Sequence, residues 1–169
     1  MTLIVRSDRS AEWRGRRLRC ALGRSGIRSD KREGDGATPA GEYALLRVLY
    51  RADRTSRPIT VLPAGPIDPA DGWCDAAGDP QYNRQVTLPY PASAESLWRP
   101  DGLYDLVVVT SHNADPVVPG KGSAIFVHVA RPGYGPTEGC VAFEPSDLTS
   151  ILAEWRADDR LLILDPDAA

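Results

Sequence analysis

Apolar residues along this chain recur mostly in short runs with period-two alternation, each bounded by Gly, Pro, Asp or Asn. Such runs, rich in β-branched and aromatic residues, predict strands. They fall at residues 3–6, 17–22, 42–50, 59–62, 103–110, 123–130, 140–143 and 160–164. One segment has a helical period instead: within 145–155, Leu148, Ile151, Leu152 and Trp155 follow the i, i+3, i+4, i+7 spacing of one helix face. Pro145 suits the first turn of that helix, and Asp147 lies near the positive end of its dipole. A shorter helical turn fits residues 92–98. The pattern predicts a mostly-β (α+β) domain with one packed helix near the C-terminal end.

Residues 63–91 break the pattern. They are crowded with Pro, Gly, Asp and Asn and have almost no periodicity. A structureless stretch of this length is uncommon in a small domain and usually functional. Because it holds Trp73, Cys74 and Tyr82, it is expected to pack as a cap or large loop. There is no internal repeat, low-complexity tract or linker, so residues 1–169 are expected to form one domain.

Composition narrows the function classes. Lys and Arg number 20 against 23 Asp and Glu, interspersed, for a net charge of −3. That gives no electrostatic case for nucleic acid or an anionic membrane as the main partner. The Arg-rich stretch 14–32 reads either as a solvated surface or as a basic rim that attracts a carboxylate-bearing substrate. No run approaches the roughly 20 apolar residues of a membrane span. Residues 1–6 are too short an apolar run for a signal peptide and read as a first strand. The three cysteines, Cys20, Cys74 and Cys140, are odd in number and widely spaced. They describe neither a disulfide framework nor a zinc site. Neither C-x-x-C nor H-E-x-x-H occurs, so no metal and no cofactor is implied. At least one thiol must be free, and a reactive one has to be considered.

The stretch 123–143 carries the chemistry. Alternation puts Ile125, Val127 and Val129 on one face of the strand and Phe126 and His128 on the other. A loop holding Pro132, Gly133, Gly135 and Pro136 follows, and the chain arrives at Gly139-Cys140. If it turns back beside the first strand, Cys140 lies across from His128. A free thiol with a pKa of about 8.5 is mostly protonated at neutral pH. An imidazole beside it takes that proton and returns it to a leaving amine. Gly139 lets the backbone bend so that successive N–H groups point at a tetrahedral oxyanion. The plain alternative is that Cys140 is a small buried hydrophobe and His128 a satisfied structural group. A second candidate is Ser111-His112-Asn113 at a strand end. His112 and Asn113 read either as cleft lining that contacts carboxylates or as a turn, since Asn113, Asp115 and Pro116 are turn formers. Arg24, between Gly23 and Ser25, reads as a carboxylate binder or a surface-loop arginine. Cys20 and Cys74 read as structural.

Thr137-x-Gly139-Cys140-Val141, with His128 on the preceding strand, resembles the [Ser/Thr]-His-Gly-Cys signature of YkuD-like L,D-transpeptidases. Upstream, Thr38-Pro39-Ala40-Gly41 resembles that family's Thr-Pro-x-Gly element, which precedes a strand near the cleft. Residues 20–50 and 104–152 look like the proteobacterial branch associated with 1-3 crosslinks. The resemblance implies a β-sandwich with one main helix after the cysteine and a Pro/Gly-rich capping loop. It implies Cys140 as nucleophile, His128 as base, backbone amides around Gly139 and Cys140 as the oxyanion hole, and the Val129 carbonyl as the group that orients the imidazole. Thr137 and Glu138 would contact substrate, and on their cleft readings above His112, Asn113 and Arg24 would do so as well. The sequence departs from the family in its shortened loop between His128 and Thr137. It departs also in Glu138, where a second His is common, and in Ala142, where Arg or Asn is usual; these departures put the donor cleft in question.

The implied reaction is attack by Cys140 on an L-to-D bond of a peptidoglycan stem peptide. The thioester is then resolved by a meso-diaminopimelate amine, giving 3-3 or 1-3 crosslinks. Two rivals stand beside it. One is hydrolysis of the same acyl-enzyme, as an L,D-carboxypeptidase or amidase; the other is a non-catalytic wall-binding module with an inert Cys140. The implied partners are muropeptides, and the implied compartment is the periplasm, although no export route is visible. Oligomeric state is not encoded legibly.

Overall fold

A computed structural model describes residues 1–167, so the last two positions of the expected domain 1–169 lie outside the described residues. The elements run, in chain order, β1 (Thr2–Val5), β2 (Ser10–Trp13), β3 (Arg16–Arg19), β4 (Ile27–Arg28), β5 (Thr38–Pro39), β6 (Gly41–Tyr43), β7 (Leu45–Tyr50), β8 (Ala64–Pro66), β9 (Asp71–Cys74), β10 (Gln85–Thr87), β11 (Ala94–Ser96), β12 (Leu106–Thr110), β13 (Phe126–Val129), β14 (Val141–Phe143), α1 (Pro145–Glu154) and β15 (Arg160–Ile163). Among the described residues the protein is mostly β with one helix, as the pattern of alternation and one helical period predicts.

Two five-stranded sheets form the body, in the orders β3-β2-β1-β15-β6 and β14-β13-β12-β7-β8. The main core fills the space between them. Leu3, Val5, Leu161 and Ile163 come from the first sheet, and Val48, Tyr50, Leu106, Val108, Val127, Val141 and Phe143 from the second. Helix α1 adds Leu148, Ile151 and Leu152, and Trp155 at its end stacks on Trp13 with ring centroids 5.2 Å apart. The alternate residues of the second sheet face the other way. Leu49, Val107, Val109 and Phe126 pack there against Ile67, Trp73, Leu97 and Tyr104. Strand β12 is therefore buried along its whole length, which is why it reads as a continuous apolar run.

Several expectations are corrected. Residues 59–62 form no strand, and Ile59 and Val61 are 78% and 65% exposed. Pro58 and Pro63 flank that run and lack the N–H a ladder needs. The stretch 63–91 is not structureless: it supplies β8, β9 and β10. Residues 92–98 form β11 and no helical turn. Strands β10, β9 and β11 make a small antiparallel sheet in which Trp73 pairs with both Gln85 and Glu95. Strands of three or four residues are too short to show a period, so their pairing was invisible in sequence. The expected strand 42–50 divides at Ala44, with β6 in one sheet and β7 in the other. The Ala44 N–H there donates to Ser111 Oγ at 2.9 Å. No helix of the described residues is long and apolar enough to cross a membrane.

Candidate active site

Strands β13 and β14 run parallel, with Val127 opposite Val141 and His128 opposite Ala142. This corrects the expectation that Cys140 lies across from His128. A parallel pair needs a crossover loop, and residues 130–140 supply it. Cys140 ends that loop level with Phe126, whose N–H points at Cys140 Sγ at 3.3 Å. Phe126 and His128 are two apart on one strand, so thiol and imidazole still reach the same side. Both line a cleft of about 300 Å³.

The backbone that carries Cys140 is tightly determined. Gly139 has φ +138°, and a Cβ there would sit 2.7 Å from Ala37 O and 3.1 Å from Ile125 Cδ1. Only glycine allows that approach. Thr137 Oγ1 accepts from Gly139 N–H at 3.1 Å and donates to Cys140 O at 2.7 Å, which turns the loop. The Thr-Pro-x-Gly element packs alongside: Thr38 Oγ1 accepts from Gly23 N–H at 2.8 Å, and Thr137 pairs with Gly23.

Cys140 is 7% exposed. Its thiol donates to Ala124 O at 3.1 Å, and burial pushes it up to about 12. His128 is buried as well, and burial first of all depresses its imidazole to about 4. The resting pair is thus neutral thiol and neutral imidazole. His128 Nδ1 lies 2.8 Å from the Val129 carbonyl oxygen. A carbonyl only accepts, so the proton is on Nδ1 and Nε2 keeps its lone pair. No hydrogen bond joins Cys140 to His128 among the described residues. Of the two amides expected as an oxyanion hole, that of Gly139 is already spent on Thr137. The Cys140 N–H has no acceptor among the described residues.

The remaining expected residues scatter. Thr137 and Glu138 line the cleft. Glu138 accepts from Arg24 Nε at 3.1 Å at the exposed rim, and Arg24 itself is not among the lining residues. His112 and Asn113 lie outside the cleft. Asn113 is spent on Val118 and Gly122, and His112 Nε2 lies 3.0 Å from Lys121 O; the turn reading of this segment stands. Cys20 and Cys74 are buried free thiols.

Other residues of the cleft, and Asn83 of the cap beside it, were not anticipated. Tyr104 lies edge-on to His128, with centroids 5.3 Å apart, and its hydroxyl donates to Glu95 Oε1 at 3.1 Å. Desolvation lifts the Glu95 carboxyl to about 7. Lys31 is buried against Asp35. Asn83, in the cap, accepts from Trp73 Nε1 at 2.9 Å and from Ala124 N–H at 3.0 Å, and donates to His112 O and Asn113 O. It thereby holds Ala124, at φ +54°, with its carbonyl on the thiol. The position of Glu95 in an apparently helical run, and of Asn83 in an apparently irregular one, concealed both. The nearest signal was the density of Trp73, Cys74 and Tyr82 in that segment.

The family model of the L,D-transpeptidase catalytic domain, YkuD, matches residues 1–163. An L,D-transpeptidase from Mycobacterium smegmatis is similar in solved structure at 13% identity and a TM-score of 0.47, over 97% of this chain and 58% of that one. L,D-transpeptidase 3 from Mycobacterium tuberculosis is similar at 13% identity and a TM-score of 0.42, over 97% of this chain and 60% of its own. The chain thus spans about three fifths of the length of each. No curated protein matches it in sequence.

Proposed function

The chain belongs to the YkuD family of L,D-transpeptidase catalytic domains, and from that premise we propose that residues 1–169 act as one peptidoglycan L,D-transpeptidase domain using Cys140 as nucleophile and His128 as base. The observation that carries this is the shared cleft. A cysteine held on a glycine-only loop and a histidine with a free Nε2 open onto the same 300 Å³ space.

The reaction starts from neutral partners. As Cys140 Sγ attacks the carbonyl of the L-residue, its proton passes to His128 Nε2, which delivers it to the departing amine of the D-residue. The Cys140 N–H stabilises the oxyanion, and the Val129 carbonyl supports the imidazolium that forms transiently. An acceptor amine of meso-diaminopimelate then resolves the thioester. The work is done on the cell wall, outside the cytoplasmic membrane, which for a proteobacterial chain means the periplasm.

The donor is L-Ala at position 1 of the stem, and the product a 1-3 crosslink. In support, Ala142 is fully buried against Ala21, with reciprocal bonds of 2.8 and 3.0 Å. It presents no polar group where relatives have Arg or Asn. Glu138 is turned to Arg24. Muropeptide mass spectrometry showing only 3-3 dimers overturns this part.

One observation favours the inert-module reading: the thiol is nearly buried, and burial holds its proton firmly. Intact-protein mass after incubation with a carbapenem decides, since this family is characteristically acylated by these drugs through its cysteine. The expected result is one adduct on the wild type and none on Cys140→Ala. A folded wild type that resists both the drug and a small thiol-directed electrophile establishes the inert module.

A further inference from the structure

The cleft has an acidic wall that the acylation step leaves unused. Strands β9 and β11 are neighbours in the cap sheet. They bring Asp75, just past β9, and Glu95, on β11, into the space that Cys140 and His128 line. Most of the other charges around the cleft are committed; Arg131 also lines it and has no ion-pair partner among the described residues, its charge being felt at His128 and Asp101. Glu33 accepts from Tyr82 and Ser123, Lys31 is paired with Asp35, and Arg99 grips Asp101. Asp75 and Glu95 have no ion-pair partner among the described residues. Asp75 Oδ1 is fully buried and has no hydrogen-bond partner among the described residues, a deficit of about 1–3 kcal/mol for a buried acceptor. Glu95 receives one bond, from the Tyr104 hydroxyl. The Tyr104 ring rests on His128, which puts Glu95 one side chain away from the base. The acidic wall and the reacting pair sense each other: the charge of Glu95 is near enough to raise both Cys140 and Tyr104.

Two carboxylates short of a cation, beside a nucleophile that forms a thioester, fit a primary ammonium. We propose that Glu95, with Asp75 beside it, binds the ammonium of the acceptor amine and takes its first proton, making Glu95 a catalytic residue of the second half-reaction. This rests on the acyltransferase reading above. The step balances. R–NH3⁺ gives a proton to the Glu95 carboxylate, leaving R–NH2 and a neutral carboxylic acid. The amine attacks the thioester carbonyl, and His128 takes the second proton as the C–N bond forms. The C–S bond breaks, the proton returns to the Cys140 sulfur, and Glu95 releases its own proton to solvent. An ammonium cannot attack, and an ordinary amine of this type loses its proton only near pH 10. A carboxyl lifted to about 7 by desolvation populates both of its forms at neutral pH, as a base in this role requires.

The test uses the full chain with a disaccharide-tetrapeptide as donor and meso-diaminopimelate as the amine. Aminolysis and hydrolysis products are counted by mass spectrometry at pH 7 and pH 10. In Glu95→Gln the ratio of aminolysis to hydrolysis is expected to fall at least about tenfold at pH 7, much more than acylation falls. It is expected to recover at pH 10, where the amine is unprotonated without help. Tyr104→Phe removes the bond that favours the charged carboxylate, so the midpoint of its aminolysis pH profile is expected to move upward. An unchanged ratio in Glu95→Gln, a loss just as deep at pH 10, or an unmoved midpoint in Tyr104→Phe overturns the proposal. A wild type that acylates but only hydrolyses also sinks it while leaving Cys140 as the nucleophile. A wild type that never acylates sinks the acyltransferase reading itself.

Discussion

The two faces of the sheet β14-β13-β12-β7-β8 are built from the same strands and do different work. Residues 48, 50, 106, 108, 127, 141 and 143 face inward to the first sheet and α1, where the neighbours are apolar. Their alternates, 49, 107, 109, 126 and 140, face a cap assembled from residues 63–104. There the apolar contacts of Trp73, Leu97 and Tyr104 are interleaved with the buried polar groups Asn83 and His128 and the half-buried Glu95. The inner face binds the fold together through area removed from water, which is non-directional and tolerant. The outer face depends on directional bonds, which fix single atoms such as Sγ of Cys140. Stability and chemistry are thus separated by one residue along each strand.

Removing packing from the inner face should produce the largest loss of stability. Leu152→Ala truncates a side chain with no exposure at all and is expected to cost roughly 2–5 kcal/mol in denaturant unfolding. Carbapenem acylation per folded molecule should stay the same. A matching fall in acylation would show that the faces are coupled.

Acid titration gives the next effect, and here two groups of the outer face pull in opposite directions. His128 is depressed to about 4 from 6.5, so the unfolded chain takes up its proton first. That contribution to stability is present above 6.5 and is lost as pH falls towards 4. Glu95 is raised from 4.5 to about 7, so the folded chain binds its proton first. Its contribution is present below 4.5 and is lost as pH rises through 7. Each amounts to roughly 3 kcal/mol, at 1.36 kcal/mol per unit, with opposite sign over nearly the same window. Between pH 4 and 7 these two contributions are expected to nearly cancel. Glu95→Gln should uncover a loss of stability on acidification, and His128→Gln a gain, both read from melting temperatures across that range.

Asn83→Ala sharpens the comparison from the other side. It removes four hydrogen bonds' worth of anchoring between the cap, Ala124 and the 112–113 turn. A stability cost of about 1–3 kcal/mol is expected, smaller than for Leu152→Ala, together with a larger fall in acylation rate, because the Ala124 carbonyl that holds Sγ is released. The smallest effect belongs to the rim. Arg24 and Glu138 are 49% and 80% exposed at their side chains, and Arg24→Ala should change stability by under about 1 kcal/mol. If the rim meets the donor, the Michaelis constant for muropeptide shifts instead.

Much of the inner face was legible in the order of residues. The alternation in 123–130 and the 3.6 period of 145–155 each announce which side chains turn inward, because a strand or helix has one period that its own sequence displays; the continuous apolar run in 103–110 announces a strand buried on both faces. Gly139-Cys140 and the strand position of His128 were legible for the same local reason. The outer face was not. Nothing in residues 126–143 states that β14 runs parallel to β13 and sets Cys140 beside Phe126. Glu95 sits in a run that looks helical, and Asn83 in one that looks irregular. The sequence by itself determined the faces of each long element and the residues able to carry acyl transfer. Only the tertiary structure decided the register between strands, the small cap sheet and the charges that meet in the cleft. Periodicity is a property of neighbours along the chain, whereas a cleft is made by groups that are remote in sequence and meet only when the chain closes on them.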